Sequence, residues 1–205
     1  MKIRYILTLF ILTPIWAISQ LVVDGTISPQ QAVEDVLLGN GVQVTGITFS
    51  GDDNQIGSFN SANSNIGLLN GVILATGDAN VAIGPNNAGG AGIGGGNFGV
   101  NDPDLDQLST FDTNDAAILE FDFIPTGDSI VFRYVFASEE YNEYVCGTVN
   151  DAFGFFLSGP GINGPFSNNA ENLALIPETE IPVTINTVNN GSVGDNGAIG
   201  NCEQV

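Results

Sequence analysis

The chain contains no histidine, and its three lysine and arginine residues face 23 aspartate and glutamate residues, so its net charge is −20. The absence of histidine excludes Ser-His and Cys-His nucleophile pairs and imidazole metal ligands. Nucleic-acid binding and attraction to anionic lipid both need many basic side chains, so neither is expected. The ligands compatible with this composition are calcium, a neutral glycan and a protein partner.

Long apolar runs are also scarce, and the one at the N-terminus is too short to span a bilayer. It has the three parts of a signal peptide: positive charges at Lys2 and Arg4, an apolar region over 6–16, and a small-x-small cleavage site over 17–19. We predict that residues 1–19 are a signal peptide, with an uncleaved N-terminal anchor as the alternative. After cleavage no lysine remains, which excludes Schiff-base chemistry, and the mature chain is not expected to insert into a membrane.

Cysteine is almost absent, with Cys146 and Cys202 as the only two thiols. Two cysteines in an exported protein most simply form one disulfide. Closing a loop of this length stabilises the fold by roughly 4 kcal/mol in the chain-entropy model. Free thiols and intermolecular pairing are the alternatives.

One helix is readable near the start of the exported chain. Ser28 is suited to the N-cap, Pro29 to the first helical position and Gln31 to a capping box, and apolar residues recur at helical spacing up to Leu37. Most of the remainder alternates like strands between Gly, Asn and Asp turns. The predicted strands are 42–49, 71–76, 117–124, 129–137, 152–158 and 182–188. This composition favours an all-β, jelly-roll-like β-sandwich with one short N-terminal helix.

The strongest local pattern is a hairpin of the strands 117–124 and 129–137 around the turn Pro125-Thr126-Gly127-Asp128. A tip at 126–127 places Glu120 opposite Arg133, the only cation left after signal cleavage. The pattern therefore predicts a structural ion pair between these two side chains.

A glycine- and asparagine-rich stretch covers residues 84–101 and contains the GxGxxG pattern twice. A dinucleotide fingerprint needs a strand before it and a helix after it, and neither pattern is present. The stretch is interpreted as a loop, either a surface flap or a loop that covers a ligand.

Acidic and amide side chains form clusters that suit a calcium ion, which takes six to eight oxygen ligands. In one cluster the aspartates alternate, which would point them the same way on an extended backbone. The other cluster follows a predicted strand, where adjacent acids repel unless they are screened or coordinated. The predicted metal ligands are Asp102, Asp104, Asp106, Glu139, Glu140, Asn150 and Asp151.

Several blocks of sequence resemble the choice-of-anchor L domain of secreted bacterial surface proteins. The most specific are FRYVFASEEY over 132–141 and NDAFGFF over 150–156. The stretch 66–84, the DPDL element at 102–105 and DAAILEFDF over 115–123 extend the resemblance over nearly all of 20–205, which we treat as one domain.

The resemblance implies a β-rich module that is secreted and displayed at the cell surface of a bacterium. Members of the family usually continue past the second cysteine into further strands and a sorting or anchoring signal, so we expect the domain to be incomplete at its C-terminus. We expect a non-catalytic adhesion or structural module that is stabilised by calcium and meets a protein or glycan at the cell surface. The alternatives are a glycan-binding module and a glycoside hydrolase that uses carboxylates alone.

We predict that the secreted protein begins at Gln20 and carries one intramolecular disulfide. N-terminal sequencing should return Gln20, and a thiol assay on the denatured protein should find no reactive thiol before reduction. A sequence starting at Met1 would contradict the signal peptide, and two reactive thiols would contradict the bridge.

Overall fold

A computed structural model describes residues 20–38, 42–86, 100–109 and 111–189. Within these ranges, nine strands pair antiparallel in four small sheets. The prediction of a mainly-β protein is confirmed. None of the described helices is long and apolar enough to cross a bilayer.

The first sheet holds β1 (Val22–Asp24), β3 (Ile56–Asn60) and β4 (Asn70–Leu74), with β3 in the centre. β1 and β3 pair from Val22 opposite Asn60 to Asp24 opposite Ser58. β1 and β3 were not among the predicted strands. Each is short, and neither has a long apolar alternation that would distinguish it from a turn.

The predicted N-terminal helix is confirmed. α1 (Pro29–Gln31) starts with Ser28 as N-cap, whose hydroxyl accepts from the Gln31 backbone at 3.2 Å while the Gln31 side chain accepts from the Ser28 backbone at 2.9 Å. The helix continues as wider π turns over Ala32–Leu37 and packs on β4. Ala32 and Val33 are fully buried, so the apolar face predicted from their spacing is the one that meets the sheet.

The second sheet pairs β2 (Gln43–Ser50) with β5 (Ile118–Ile124), from Gln43 opposite Ile124 to Ser50 opposite Ile118. The register shifts between Thr45 and Thr48, where Gly46 has a φ of +64°. A side chain at Gly46 would also lie 2.8 Å from an Asp122 carboxylate oxygen, so this bulge needs glycine.

The predicted hairpin of 117–124 with 129–137 is not formed among the residues that the structure describes. Glu120 lies opposite Thr48, and residues 129–137 form no strand ladder in the described chain. The Arg133 guanidinium instead donates to the Gly67 carbonyl at 3.3 Å, so the predicted pairing of Glu120 with Arg133 is not found. Residues 126–128 do form a bend, but the ladder that β5 makes in the described chain is with β2.

The remaining sheets are small. β6 (Ala152–Phe153) pairs with β9 (Val183–Thr184), and β7 (Phe156–Leu157) pairs with β8 (Glu171–Asn172). The predicted strand 152–158 is therefore split in two, and 182–188 is mostly turn. A second helix, α2 (Pro103–Leu108), lies where the aspartate run was expected to be extended.

Two small apolar cores hold these sheets. One joins the helix to the first sheet through Ala32, Val33 and Ile56. The other consists of Val145, Cys146 and Ile185, with Phe136 and Tyr141 packed against it. The second core fixes the acidic turn that precedes Val145 to the chain around β9.

Gln55 joins three loops from a fully buried position. Its side-chain amide donates to the carbonyls of Thr76 at 3.0 Å and Asp115 at 2.6 Å. Its side-chain oxygen accepts from the Asp52 backbone at 2.7 Å. These bonds give the buried polar side chain of Gln55 its partners, which it needs because it has lost its water.

Replacing Gln55 by methionine keeps the volume of the side chain and removes these hydrogen bonds. We expect the free energy of unfolding to fall by about 3 kcal/mol, because three hydrogen bonds that contribute about 1 kcal/mol each are lost. Urea denaturation followed by circular dichroism measures this. The matched control is Gln43→Met on the exposed start of β2, which should change little, and an equal effect of both substitutions would contradict the role of Gln55.

Candidate functional site

Hydrogen bonds within the acidic turn, residues 138–146, and packing of its end in the second apolar core hold this turn in place. The Tyr144 amide donates to the Glu140 carbonyl at 3.1 Å. Ser138 begins the turn by accepting from the Glu140 backbone at 3.1 Å. Val145 and Cys146 are buried at its end, so the carboxylates of the turn are held close to the protein body.

Asp151 is brought to this turn by the chain around β9. The Asp151 carbonyl accepts from the Ile185 amide at 3.0 Å, next to the buried side chain of Ile185. The following residue, Asn186, accepts from the Cys146 amide at 2.7 Å and donates its own amide to the Asn150 side chain at 3.0 Å. The turn at 185–186 therefore ties Cys146, at the end of the acidic turn, to Asn150 and Asp151.

Thr76 and Asp115 approach Asp151 from the opposite direction. The Thr76 side chain forms a hydrogen bond with the Asp151 carboxylate, and Asp115 is close enough to raise its pKa. Both residues are positioned through their carbonyls, which share the Gln55 amide. Asn86 adds a further link, because its amide donates to the Glu139 carbonyl at 2.7 Å.

Carboxylates dominate the electrostatics around the acidic turn and Asp151. The pKa of Glu140 is raised to about 7 by burial first and then by the negative charges of Asp151 and Glu139, with a Ser138 hydrogen bond acting in the other direction. Burial also raises the pKa of Asp151, with additional contributions from Glu139 and Asp115 and an opposing hydrogen bond from Thr76. We call Glu139, Glu140, Asp151 and Asp115 the acidic cluster.

Two carboxylate oxygens in this region are buried without a hydrogen-bond partner within the described chain: Oε2 of Glu139 and Oε2 of Glu143. A buried carboxylate oxygen without a donor is costly, because it has lost its water. Burial and neighbouring charge also affect Tyr141, where burial first and Glu140 second raise the pKa to about 12.

The three aspartates of the DPDLD run do not act together. Asp102 is the N-cap of α2 and accepts from the Asp104 and Leu105 amides at 2.9 Å each. Asp104 accepts from the Ser167 amide at 3.1 Å, and Asp106 accepts from the Thr113 hydroxyl at 2.6 Å. The Thr113 side-chain and backbone hydrogen bonds lower the pKa of Asp106.

The expectation that these aspartates lie on an extended backbone is therefore wrong. Pro103 is compatible with the first turn of a helix, and Asp102 supplies the cap, so the run folds as α2 and each carboxylate is used by a different donor. Among the residues that the structure describes, no three acidic, thiol or imidazole side chains converge closely enough to ligate a metal as they stand.

Other predicted site residues have structural partners or lie outside the described residues. Asn150 accepts from Asn186 through its side chain and from the Ser109 hydroxyl at 3.3 Å through its carbonyl. Cys146 is buried, whereas Cys202 lies outside the described residues, so their disulfide stays a prediction. The predicted loop 84–101 is described only at its two ends.

Sequence reasoning found Glu139, Glu140 and Asp151 but missed what surrounds them. Thr76 follows a strand without any acidic neighbour in sequence, and Gln55 is a glutamine in a polar stretch with no local sign of burial. Asp115 was not among the predicted metal ligands. A φ of +58° at Asp115 is a signal of an unusual backbone position, but it is visible only in the structure.

The comparison with protein families gives a match over essentially the whole chain. The profile of the Choice-of-anchor L domain matches residues 21–205. No curated protein and no solved structure shows significant similarity to the chain. The resemblance drawn from the SEEY and FGFF blocks is therefore confirmed.

The raised pKa of Glu140 predicts how stability depends on pH in calcium-free buffer. An acid with a pKa higher in the folded protein than in the unfolded chain favours folding most when it is protonated. The contribution of Glu140 to stability should therefore be fully present below pH 4.5 and be lost as the pH rises through about 7. Glu140→Gln should flatten this dependence.

Chemical denaturation at several pH values between these limits measures the effect. The matched control is Glu120→Gln on the exposed face of β5, which should keep the dependence of the unsubstituted protein. Equal slopes for the protein and the Glu140 variant would contradict the assignment.

Proposed function

Because the chain belongs to the choice-of-anchor L domain family, we propose that it is a non-catalytic adhesion or structural module of the bacterial surface, stabilised by calcium. Family membership itself implies a surface-associated bacterial protein. The calcium, the adhesion role and the absence of catalysis are the parts that we propose.

The observation that carries the calcium proposal is the Oε2 atom of Glu139. This carboxylate oxygen is buried, has no hydrogen-bond partner in the described chain, and belongs to the acidic cluster. Arg133 is the only cation outside the predicted signal peptide, and it is bonded to the Gly67 carbonyl. A bound cation would supply the missing partner and offset the repulsion among these carboxylates.

The donors available around Glu139 fit calcium better than other common metals. They are oxygens, since the region offers carboxylates, the Thr76 hydroxyl and backbone carbonyls, and it contains no imidazole. Calcium accepts six to eight oxygens in a flexible arrangement and completes its shell with water, so it does not need three carboxylates already converged. The residues proposed to hold it are Glu139, Glu140 and Asp151.

A non-catalytic role is supported by the state of the two acids with raised pKa values. Carboxylate-only glycoside hydrolysis needs one acid and one ionised base or nucleophile in a shared cleft. Burial raises the pKa of both Glu140 and Asp151, whereas the environments of an acid and a nucleophile in such an enzyme drive their pKa values apart. Neither of the two best-formed cavities among the described residues is lined by members of the acidic cluster.

Glycan binding has less support than adhesion through protein contacts. A sugar site would use exposed aromatic rings beside the acidic rim. Tyr141 is partly buried and its hydroxyl donates to the Val188 carbonyl, and Tyr144 is also partly buried. Phe98, a third candidate, lies outside the described residues.

The disulfide between Cys146 and Cys202 is also part of the proposal. Cys146 lies in the second apolar core directly after the acidic turn, and its amide is bonded to Asn186. A bridge from this position would tie the acidic turn to a distant part of the chain. It would stabilise the turn whether or not calcium is bound.

Calcium should raise the melting temperature of the mature protein by roughly 5 °C at about ten millimolar, as expected for a weak extracellular site. Glu140→Gln and Asp151→Asn should each remove most of this increment. In calcium-free buffer the same substitutions should raise the melting temperature, because they remove repulsion within the acidic cluster.

This change of sign separates a calcium ligand from a residue with a purely structural role. Asp128→Asn, in an exposed turn away from the acidic cluster, is the control and should retain the full calcium increment. Magnesium should have a smaller effect, because it needs a tighter octahedral site. An unchanged melting temperature in calcium would refute the proposal.

A further inference from the structure

Residues 129–137, which we call the open edge, have the sequence of a strand without a strand partner. Ile130, Phe132, Tyr134 and Phe136 alternate with other residues in a β-branched and aromatic run. None of the backbone groups in this segment makes a backbone–backbone hydrogen bond within the described part of the chain. Within the described residues, the backbone donors and acceptors of this potential strand therefore have no backbone partners.

The open edge is nevertheless held in place from one side. The rings of Phe132 and Phe155 lie 4.7 Å apart between centroids, and those of Tyr134 and Phe153 lie 5.0 Å apart. The Tyr134 hydroxyl donates to the Leu175 carbonyl at 3.4 Å, and Phe136 packs on the second apolar core. These contacts fix the segment beside β6 and β7 without using its backbone.

Two of the alternate side chains are exposed and apolar. Val131 is 81% exposed and Val135, four positions later, is 49% exposed, which is unusual for valines in a very acidic protein. An exposed apolar strand with unpaired backbone groups is a template for another strand. Proteins that leave such an edge uncovered normally place charges or proline along it, and here only Arg133 is charged.

We propose that the open edge is a docking site for an extended segment of another polypeptide, which binds by strand addition. The segment would pair its backbone with residues 129–137 and place apolar side chains beside Val131 and Val135. A carboxylate between them would meet Arg133. This proposal does not depend on the proposed calcium.

Charge identifies the kind of partner. Arg133 is exposed at the centre of the open edge and makes one long hydrogen bond, of 3.3 Å, to Gly67. A partner segment with a single acidic residue complements it. A second copy of this chain would bring another net charge of −20 and a second Arg133 to the same place, so self-association is disfavoured.

An apolar cavity next to the open edge offers an anchor point. It has a volume of about 280 Å³ and is lined by Tyr134, Phe136, Pro177 and Val188 among others. An apolar side chain from a docked segment can enter it and bury surface that is otherwise in water. In strand-addition complexes such pockets provide specificity, and the backbone bonds provide affinity.

The test uses the full mature chain and the synthetic peptide TVTVEVTVT, followed by hydrogen–deuterium exchange with mass-spectrometric detection. In the protein alone, amides of residues 130–136 should exchange rapidly. With peptide at about 1 mM they should exchange at least tenfold more slowly. Val131→Pro and Val135→Pro, which remove backbone donors from the open edge, should abolish this protection.

Two charge controls make the result specific. The peptide TVTVKVTVT, with lysine in place of the glutamate, should bind more weakly, and Arg133→Gln should weaken binding of the glutamate peptide about threefold.

Circular dichroism should show that the proline variants remain folded, and Val135→Thr, which keeps the backbone donor, should retain binding. Three results would overturn the proposal: amides of the open edge already protected in the protein alone, a dimer that Val135→Pro dissociates, and no protection by the peptide.

Discussion

The site depends on a set of partly buried carboxylates that lie close enough to raise one another's pKa values. Glu139, Glu140 and Asp151 come from two parts of the chain and would separate if only their charges acted. They are held together by neutral contacts instead, namely the hydrogen bonds of Asn186 and the apolar packing of Val145. The fold therefore maintains a local concentration of negative charge, which gives a divalent cation a reason to bind there.

The elements with strong local signals could be predicted from the sequence. The capping box at Ser28, the long alternations of β2 and β5, and the apolar run of β4 all lie where the sequence placed them. The partner of β5 was predicted wrongly, because β5 pairs with β2 and not with the neighbouring segment 129–137. Strand pairing is decided by long-range complementarity of whole faces, and a turn signal such as the one at 125–128 reports only local geometry.

The candidate site was predicted only in part, because local patterns do not report long-range contacts. Acids that follow a predicted strand, as Glu139 and Glu140 follow 129–137, could be recognised from their local pattern. The interior role of Gln55 could not, because nothing in its neighbourhood distinguishes a buried glutamine from an exposed one. The aspartates at 102–106 show the opposite case, in which a pattern that suits metal binding is also the pattern of a capped helix.

The open edge and the acidic cluster assign different tasks to the two ends of the segment 129–151. A surface module needs a stable body and a surface that meets partners, and this segment contributes to both.

The central claim, that a cation completes the acidic cluster, is tested most directly by equilibrium dialysis of the mature protein against radioactive calcium at neutral pH. The account predicts saturable binding of one ion per chain with a dissociation constant of roughly 10⁻⁴ to 10⁻³ M. Linear, non-saturable uptake that is unchanged by Asp151→Asn would contradict it.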